Sequence, residues 1–91
     1  MEDIGSPLYY AVYLRLEPVV HRLLSDGADP SAPGGWYGNA LQVASRKGFM
    51  QLAEKLIKAG ADVSARGGFY GDALQAAARG GHEKVRRSLL E

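Results

Sequence analysis

Apolar residues recur along this 91-residue chain with the spacing of short amphipathic helices. One set of segments has apolar residues three positions apart, and a second set has them at i, i+3 and i+4. Together the two sets predict six helices, at residues 7–14, 17–25, 40–47, 50–58, 73–79 and 83–90. The fold class is therefore expected to be all-α, with two kinds of short helix in alternation.

The same pattern returns at a fixed period. Residues 3–35 match residues 36–68 at eleven positions, and the phrase GGWYGNALQ of the second copy returns as GGFYGDALQ in the third. A fixed period of this length is typical of arrays in which each copy is one supersecondary unit. The chain is expected to be a single domain of about three repeats, at 3–35, 36–68 and 69–91.

Polar side chains stand where the first helix of each copy is predicted to start. They are Ser6, Asn39 and Asp72, and each can accept a hydrogen bond from the free amides of a helix N-terminus. Gly48 and Gly81 stand at the predicted ends of two of these helices, where a left-handed backbone is needed. The first copy has Arg15 at that position, so its first turn is expected to be distorted.

Two helices and a projecting turn in each period of this length is the ankyrin pattern. SPLYYAV at 6–12 resembles the family's TPLHLAA motif, and LIKAGADVSA at 56–65 resembles its LLLxxGADVNA motif. The resemblance covers essentially the whole chain and implies an ankyrin-repeat solenoid of stacked antiparallel helix pairs. It also implies a function in binding other proteins through the turn tips and the concave face of the first helices.

Copies two and three depart from the family motif in the same way. NALQVAS and DALQAAA replace Thr-Pro by Asn-Ala or Asp-Ala, and His by Gln. This YGNALQ variant looks like the ankyrin arrays attached to fungal nucleotide-binding, immune-receptor-like proteins. Gln42 and Gln75 recur beside core leucines, and the favoured interpretation is that their amides tie one repeat to the turn of the next.

Composition and charge narrow the function further. The absence of cysteine excludes disulfides and thiolate chemistry, and no apolar run approaches the roughly 20 residues of a membrane span. Residues 1–30 carry two basic and five acidic side chains, and residues 31–91 carry nine and five, without the dense basic stripe that binds nucleic acid. We expect a cytoplasmic protein whose partner is another protein, neither nucleic acid nor a membrane.

No residues point to catalysis. The phrase GGxYG is neither GxGxxG nor a P-loop, because no Lys-Ser or Lys-Thr pair follows it. His21 and His82 lack companions at metal-ligand spacing, and His82 is expected to cap or pack locally. No nucleophile has a base beside it. The sequence therefore predicts a protein that is not an enzyme and that has no cofactor or metal.

Aromatic pairs at the turn tips are the sharpest candidates for function. They are Trp36-Tyr37 and Phe69-Tyr70, and exposed rings of this kind often anchor protein interfaces. The proposed protein-binding surface adds Tyr13 and the basic residues Arg46, Lys47, Arg66 and Arg79. Such an aromatic and basic groove fits a protein surface with apolar and acidic groups. In the structural interpretation, one ring of each pair packs over the glycines or on the adjacent helix start, and the sequence favours this for Tyr37 and Tyr70 and favours a binding role for Trp36 and Phe69.

The two ends of the array suggest an alternative function. Arg86 and Arg87 make the last helix polar, as in the capping repeat of a stack. At the other end Tyr9, Tyr10 and Tyr13 are expected to form a bulky amphipathic surface, to which Val12, Leu14 and Leu16 add apolar area. The chain could therefore be a structural array that forms homo-oligomers through its open terminal repeats.

Overall fold

The computed structural model describes residues 5–91, which form six short α-helices. In chain order they are α1 (Pro7–Tyr13), α2 (Glu17–Ser25), α3 (Ala40–Lys47), α4 (Met50–Lys58), α5 (Ala73–Gly80) and α6 (Glu83–Leu90). Within residues 5–91 no strand forms, and the one isolated bridge joins Gly67 to Gly71. The all-α prediction is confirmed. Residues 3 and 4, the expected start of the first repeat, lie outside the described residues.

Each first helix begins at a side chain that caps its free amides. The caps are Ser6, Asn39 and Asp72, whose oxygens accept hydrogen bonds from the backbone amides of Tyr9, Gln42 and Gln75 at 3.0, 2.9 and 2.8 Å. Such a cap stabilises a helix by about 1 kcal/mol. The three predicted helix starts are therefore confirmed, each one period from the next.

The turn between the two helices of a pair requires a left-handed residue. Gly48 and Gly81 adopt φ values of 75° and 73°, and Arg15 adopts 57° at the same position of the first pair. The predicted distortion of this turn is therefore wrong, although α1 ends one residue earlier than α3 does. The turn keeps its left-handed backbone, and an L residue in that conformation costs about 1–2 kcal/mol.

Weak contacts partly offset the strain at Arg15. Its guanidinium lies over the Phe49 ring, 4.8 Å from the centroid, and its Nε is 3.9 Å from the Glu17 carboxylate. Exposed ion pairs and exposed cation–π contacts each contribute about 1 kcal/mol or less. Arg15 thus occupies a position where glycine fits better.

Helix α3 lies between α1 and α5 and is the centre of the core. Its residues 40–45 are all buried, and alanine at positions 40 and 44 lets the neighbouring helices approach closely. The second helices pack behind this row and add the apolar side chains Val20, Leu52, Ala53, Leu56, Val85 and Leu89. The three helix pairs therefore share one hydrophobic core, which extends from α1 to α6.

Tyr9 is a core residue, which corrects the expectation that it lies on the surface. It is fully buried, its ring lies against Gly5 and Gly35, and its hydroxyl accepts a hydrogen bond from the Tyr37 amide at 3.1 Å. Val12 is also fully buried. The surface at this end of the array instead exposes the side chains of Tyr10, Tyr13, Leu14, Leu16 and Val19.

The last helix has a polar outer face, as the sequence predicts. Arg86 and Arg87 both contact the Glu83 carboxylate, at 2.9 and 3.3 Å. The hydrogen bond from Arg86 lowers the pKa of Glu83, and the same bond raises the pKa of Arg86. These side chains leave α6 with a charged outer surface.

Replacing Arg15 by glycine is expected to stabilise the protein. The substitution removes the Cβ that opposes a positive φ, and this gain exceeds the combined cost of the lost guanidinium contacts and the extra chain entropy of glycine in the unfolded state. We expect the free energy of unfolding to rise by about 0.5–1 kcal/mol. Urea denaturation followed by circular dichroism measures the change.

Arg15→Ala is the matched control. It removes the same guanidinium contacts with Phe49 and Glu17 but keeps the Cβ, so its stability should equal or fall below that of the wild type. Equal stabilisation by the alanine and glycine variants would show that the left-handed backbone is not the source of the strain.

Candidate functional site

The tips of the two glycine-rich turns carry a block of four aromatic rings. Trp36 stacks on Phe69 with centroids 4.4 Å apart and planes 15° apart, and Tyr37 stacks on Tyr70 at 6.0 Å and 16°. Within each turn the two rings meet edge to face at 4.9 Å. We call these four residues the aromatic ladder.

Backbone hydrogen bonds hold the ladder in register. Gly34 N donates to Gly38 O at 2.9 Å, and Gly67 N donates to Gly71 O at 2.8 Å, so each turn is a small closed loop. A third bond joins the two loops, from the amide of Phe69 to the carbonyl of Trp36 at 3.0 Å. The ring spacing is therefore a consequence of how the two turns stack.

The two stacked pairs of the ladder differ in how much of their surface is exposed. The side chains of Trp36 and Phe69 face solvent, with 47 % and 63 % of their surface exposed, whereas Tyr37 and Tyr70 are half-buried. The more exposed pair is the one for which the sequence favours a binding role. The tyrosines lie further inward, between the outer rings and the first helices.

Two arginines approach the inner rings. Arg46 Nε donates a hydrogen bond to the Tyr70 hydroxyl at 3.0 Å, and its guanidinium carbon is 5.5 Å from the Tyr70 centroid. Arg79 contacts the same ring at 6.0 Å. The hydrogen bond to Tyr70 raises the pKa of Arg46. Its guanidinium is positively charged at physiological pH, as that of any arginine is.

The remaining candidates lie at the edges of the ladder. Lys47 Nζ is 4.4 Å from the Tyr13 centroid, and the Tyr13 ring is 6.3 Å from that of Tyr37, so both extend the ladder toward α1. Arg66 is exposed just before the second turn. In the described part of the chain, no hydrogen bond, ion pair or ring contact joins Arg66 to the ladder.

Gln42 ties the second helix pair to the second glycine-rich turn, as its position predicts. Its side chain is buried, and Nε2 donates to the Gly67 carbonyl at 2.9 Å. Gln75, one period later, is exposed because no turn within residues 5–91 covers it. Gln42 therefore has a structural role, because a turn lies against it.

Sequence reasoning missed the part that Tyr9 plays at the first junction. Tyr9 stands one period before Gln42, and its hydroxyl bonds to the turn at Tyr37 as the Gln42 amide bonds to the turn at Gly67. The signal was present, because a phenol and an amide can both reach a backbone group across a helix junction. Tyr9 and Gln42 occupy the same position of their repeats, and both side chains can form hydrogen bonds.

Other predicted features lie away from the ladder. The His82 ring packs beside Gly48 and Gly80, in agreement with the local packing expected of it. Within residues 5–91, no three His, Asp or Glu side chains are grouped in a way that could hold a metal ion. Nor does this range contain a helix of the length and apolarity that crossing a membrane requires.

Comparison with known proteins gives two findings. Residues 5–34 and 39–68 each match the ankyrin repeat. The chain is also 46 % identical over 61 residues to azaphilone pigments biosynthesis cluster protein L of Monascus ruber, a match that covers 59 % of this chain. The chain spans only 13 % of the length of that relative.

The two glutamines provide a matched test of the junction. Gln42→Ala removes a buried side chain together with its hydrogen bond to the Gly67 carbonyl, so we expect a loss of about 1–3 kcal/mol in the free energy of unfolding. Gln75→Ala removes the same atoms from an exposed position and should change stability by less than about 0.5 kcal/mol. Thermal or urea unfolding of both variants checks this, and equal losses would contradict the structural assignment of Gln42.

Proposed function

The chain belongs to the ankyrin repeat family, and from this premise we propose that it is a protein-binding module without catalytic activity. Ankyrin repeats generally mediate protein–protein interactions. The proposed binding surface is the aromatic ladder together with the concave face of the first helices, α1, α3 and α5. The third helix pair is taken to be a third repeat, so that the repeats divide at 3–35, 36–68 and 69–91.

Preorganisation of the ladder is the observation that carries this proposal. Trp36 and Phe69 are exposed, yet their mutual stacking at 4.4 Å already restricts their rotamers. A partner that covers them gains the contact area of two large rings and loses little further side-chain entropy. Aromatic anchors of this kind dominate the energetics of many protein interfaces.

Charge around the ladder indicates the chemistry of the partner. Arg46, Lys47 and Arg79 all lie against ladder or Tyr13 rings, and Arg66 stands exposed beside the second turn. A partner with apolar side chains opposite the rings and carboxylates opposite the guanidiniums would complement this surface. The proposed partner is therefore a protein, and we expect no binding of nucleic acid.

A second candidate function is homo-oligomerisation through the open ends of the array. The exposed apolar side chains of Leu14, Leu16 and Val19 at the first helix pair favour it. Under this alternative the ladder residues have no direct role. Light scattering across a wide range of protein concentration distinguishes the two functions, because a chain that remains monomeric at high concentration contradicts self-assembly.

Two narrower proposals rest mainly on the sequence. The YGNALQ motif supports a relationship to the ankyrin arrays of fungal nucleotide-binding, immune-receptor-like proteins, and the relative from Monascus ruber agrees with the fungal part of it. The proposed compartment is the cytoplasm, which the absence of cysteine favours.

Removing the two outer rings is expected to weaken capture of the partner. A chain carrying Trp36→Ala and Phe69→Ala should retain its helical circular dichroism spectrum, because neither side chain belongs to the hydrophobic core. Its affinity for proteins captured from a lysate of the source organism should fall by about tenfold or more, since truncating a central aromatic anchor costs more than about 1 kcal/mol. Quantitative mass spectrometry of parallel captures measures the loss.

Leu90→Ala is the matched control for this experiment. Leu90 is about as exposed as Phe69, at 60 %, but lies on α6 rather than at a turn tip. Its variant should capture the same proteins as the wild type. The tip proposal is wrong if the double variant also captures them undiminished.

A further inference from the structure

The outer side of α5 carries a cleft of about 420 Å³ next to the last rings of the ladder. It is lined by Phe69, Tyr70, Gln75, Ala78 and Arg79. Most of these side chains are exposed, including the Gln75 amide and the Arg79 guanidinium. Polar donors and an aromatic ring thus converge on one open surface.

The junction between the second and third helix pairs shows what such a surface holds. There the turn of residues 67–71 stacks its phenylalanine ring on Trp36 and donates its amide to the Trp36 carbonyl. Gln42 Nε2 donates to the first glycine carbonyl of the turn at 2.9 Å, and Arg46 Nε donates to its tyrosine hydroxyl at 3.0 Å. Four contacts therefore recognise one short turn.

The cleft presents the same groups one period later. Phe69 replaces Trp36, Gln75 replaces Gln42 and Arg79 replaces Arg46, each at the equivalent position of the next copy. The open surface is thus a continuation of the interface that already joins the helix pairs. A Gly-Gly-aromatic-Tyr-Gly turn would find a ring to stack on and the same two side-chain donors.

The turn itself has a strict requirement for glycine. Gly68, its second residue, has φ of 70° and lies directly against the backbone of Tyr37, with which a Cβ would overlap. An occupant of the cleft would place its own second glycine in the same way against Tyr70. This close approach makes the recognition selective, because any other residue there is both strained and blocked.

We propose that the cleft on α5 is a docking site for a Gly-Gly-aromatic-Tyr-Gly turn presented by another polypeptide. A second copy of this chain does not supply it from the described residues, because both of its turns are already engaged by Tyr9 and Gln42. The proposed partner is a protein that presents such a turn uncovered. This site shares Phe69, Tyr70 and Arg79 with the tip surface proposed above, and it adds Gln75 and Ala78.

A disulfide-closed peptide tests the site. The peptide Cys-Arg-Gly-Gly-Phe-Tyr-Gly-Asp-Cys copies residues 66–72 between two added cysteines, which hold the loop that the Gly67–Gly71 hydrogen bond closes in the protein. Titrated into the ¹⁵N-labelled full chain, it should shift the signals of the Phe69 amide, the Gln75 side-chain amide and Arg79 Nε. We expect a Kd of about 1 mM or tighter.

Matched variants connect the binding to the cleft. Gln75→Ala and Arg79→Ala should each weaken the Kd by about three- to tenfold, the effect of losing one hydrogen bond. Arg87→Ala removes the same charge from the exposed side of α6 and should leave the Kd unchanged. A control peptide with alanine at the Gly68 position should not bind. Spectra of the free variants confirm that each is folded.

Several outcomes would overturn the proposal. These are the absence of shifts at millimolar peptide, shifts that survive both cleft variants, and equal binding of the alanine-containing peptide. Peptide-free spectra in which the cleft signals move with protein concentration would show a second copy in the cleft instead. Trp36 belongs to the tip surface alone and Gln75 to the cleft alone. Captures with the single variants Trp36→Ala and Gln75→Ala therefore distinguish failure of the cleft from failure of the tip surface.

Discussion

Burial of α3 (Ala40–Lys47) on both sides is the constraint on which the rest of the structure depends. A helix between two others must offer small or apolar side chains to each neighbour, and Ala44 and Val43 are fully buried there. Polar groups that enter this space need partners inside it, so Ser45 donates to the Leu41 carbonyl and Gln42 to the next turn. The close spacing of the helix pairs follows from these small, satisfied side chains.

The aromatic ladder is a product of the same spacing. When the helix pairs stack this closely, their turns stack as well, and the glycines let the backbone of one turn lie against the next. The rings at the turn tips then fall within contact distance of one another, at 4.4 and 6.0 Å. Within residues 5–91, α5 has another first helix, α3, on one side and none on the other, so its equivalent groups remain exposed. Both proposed binding surfaces therefore arise from the stack, one along its edge and one at its end.

Much of the fold could be predicted, because it rests on local chemistry that repeats. The caps at Asn39 and Asp72 and the left-handed glycine at position 48 are requirements of single helix ends, and each is visible in a few letters. Prediction from the sequence failed at repeat positions where an unexpected residue type takes the structural role of the usual one. Arg15 adopts the conformation of a glycine because the packed helices on either side demand it, and Tyr9 takes the place of a glutamine in the core.

The sequence by itself determined the helices, the period at which they return and the candidate rings, because helix propensity, capping and periodicity act over a few residues. Only the tertiary structure decided which of those candidates meet. It brought Arg46, Arg79 and the four rings together, left Arg66 aside, and opened a cleft beside Gln75. The physical reason is that two glutamines alike in local sequence differ mainly in what lies beside them. A turn covers Gln42, whereas no turn within residues 5–91 covers Gln75. That difference exists only once the helix pairs are stacked.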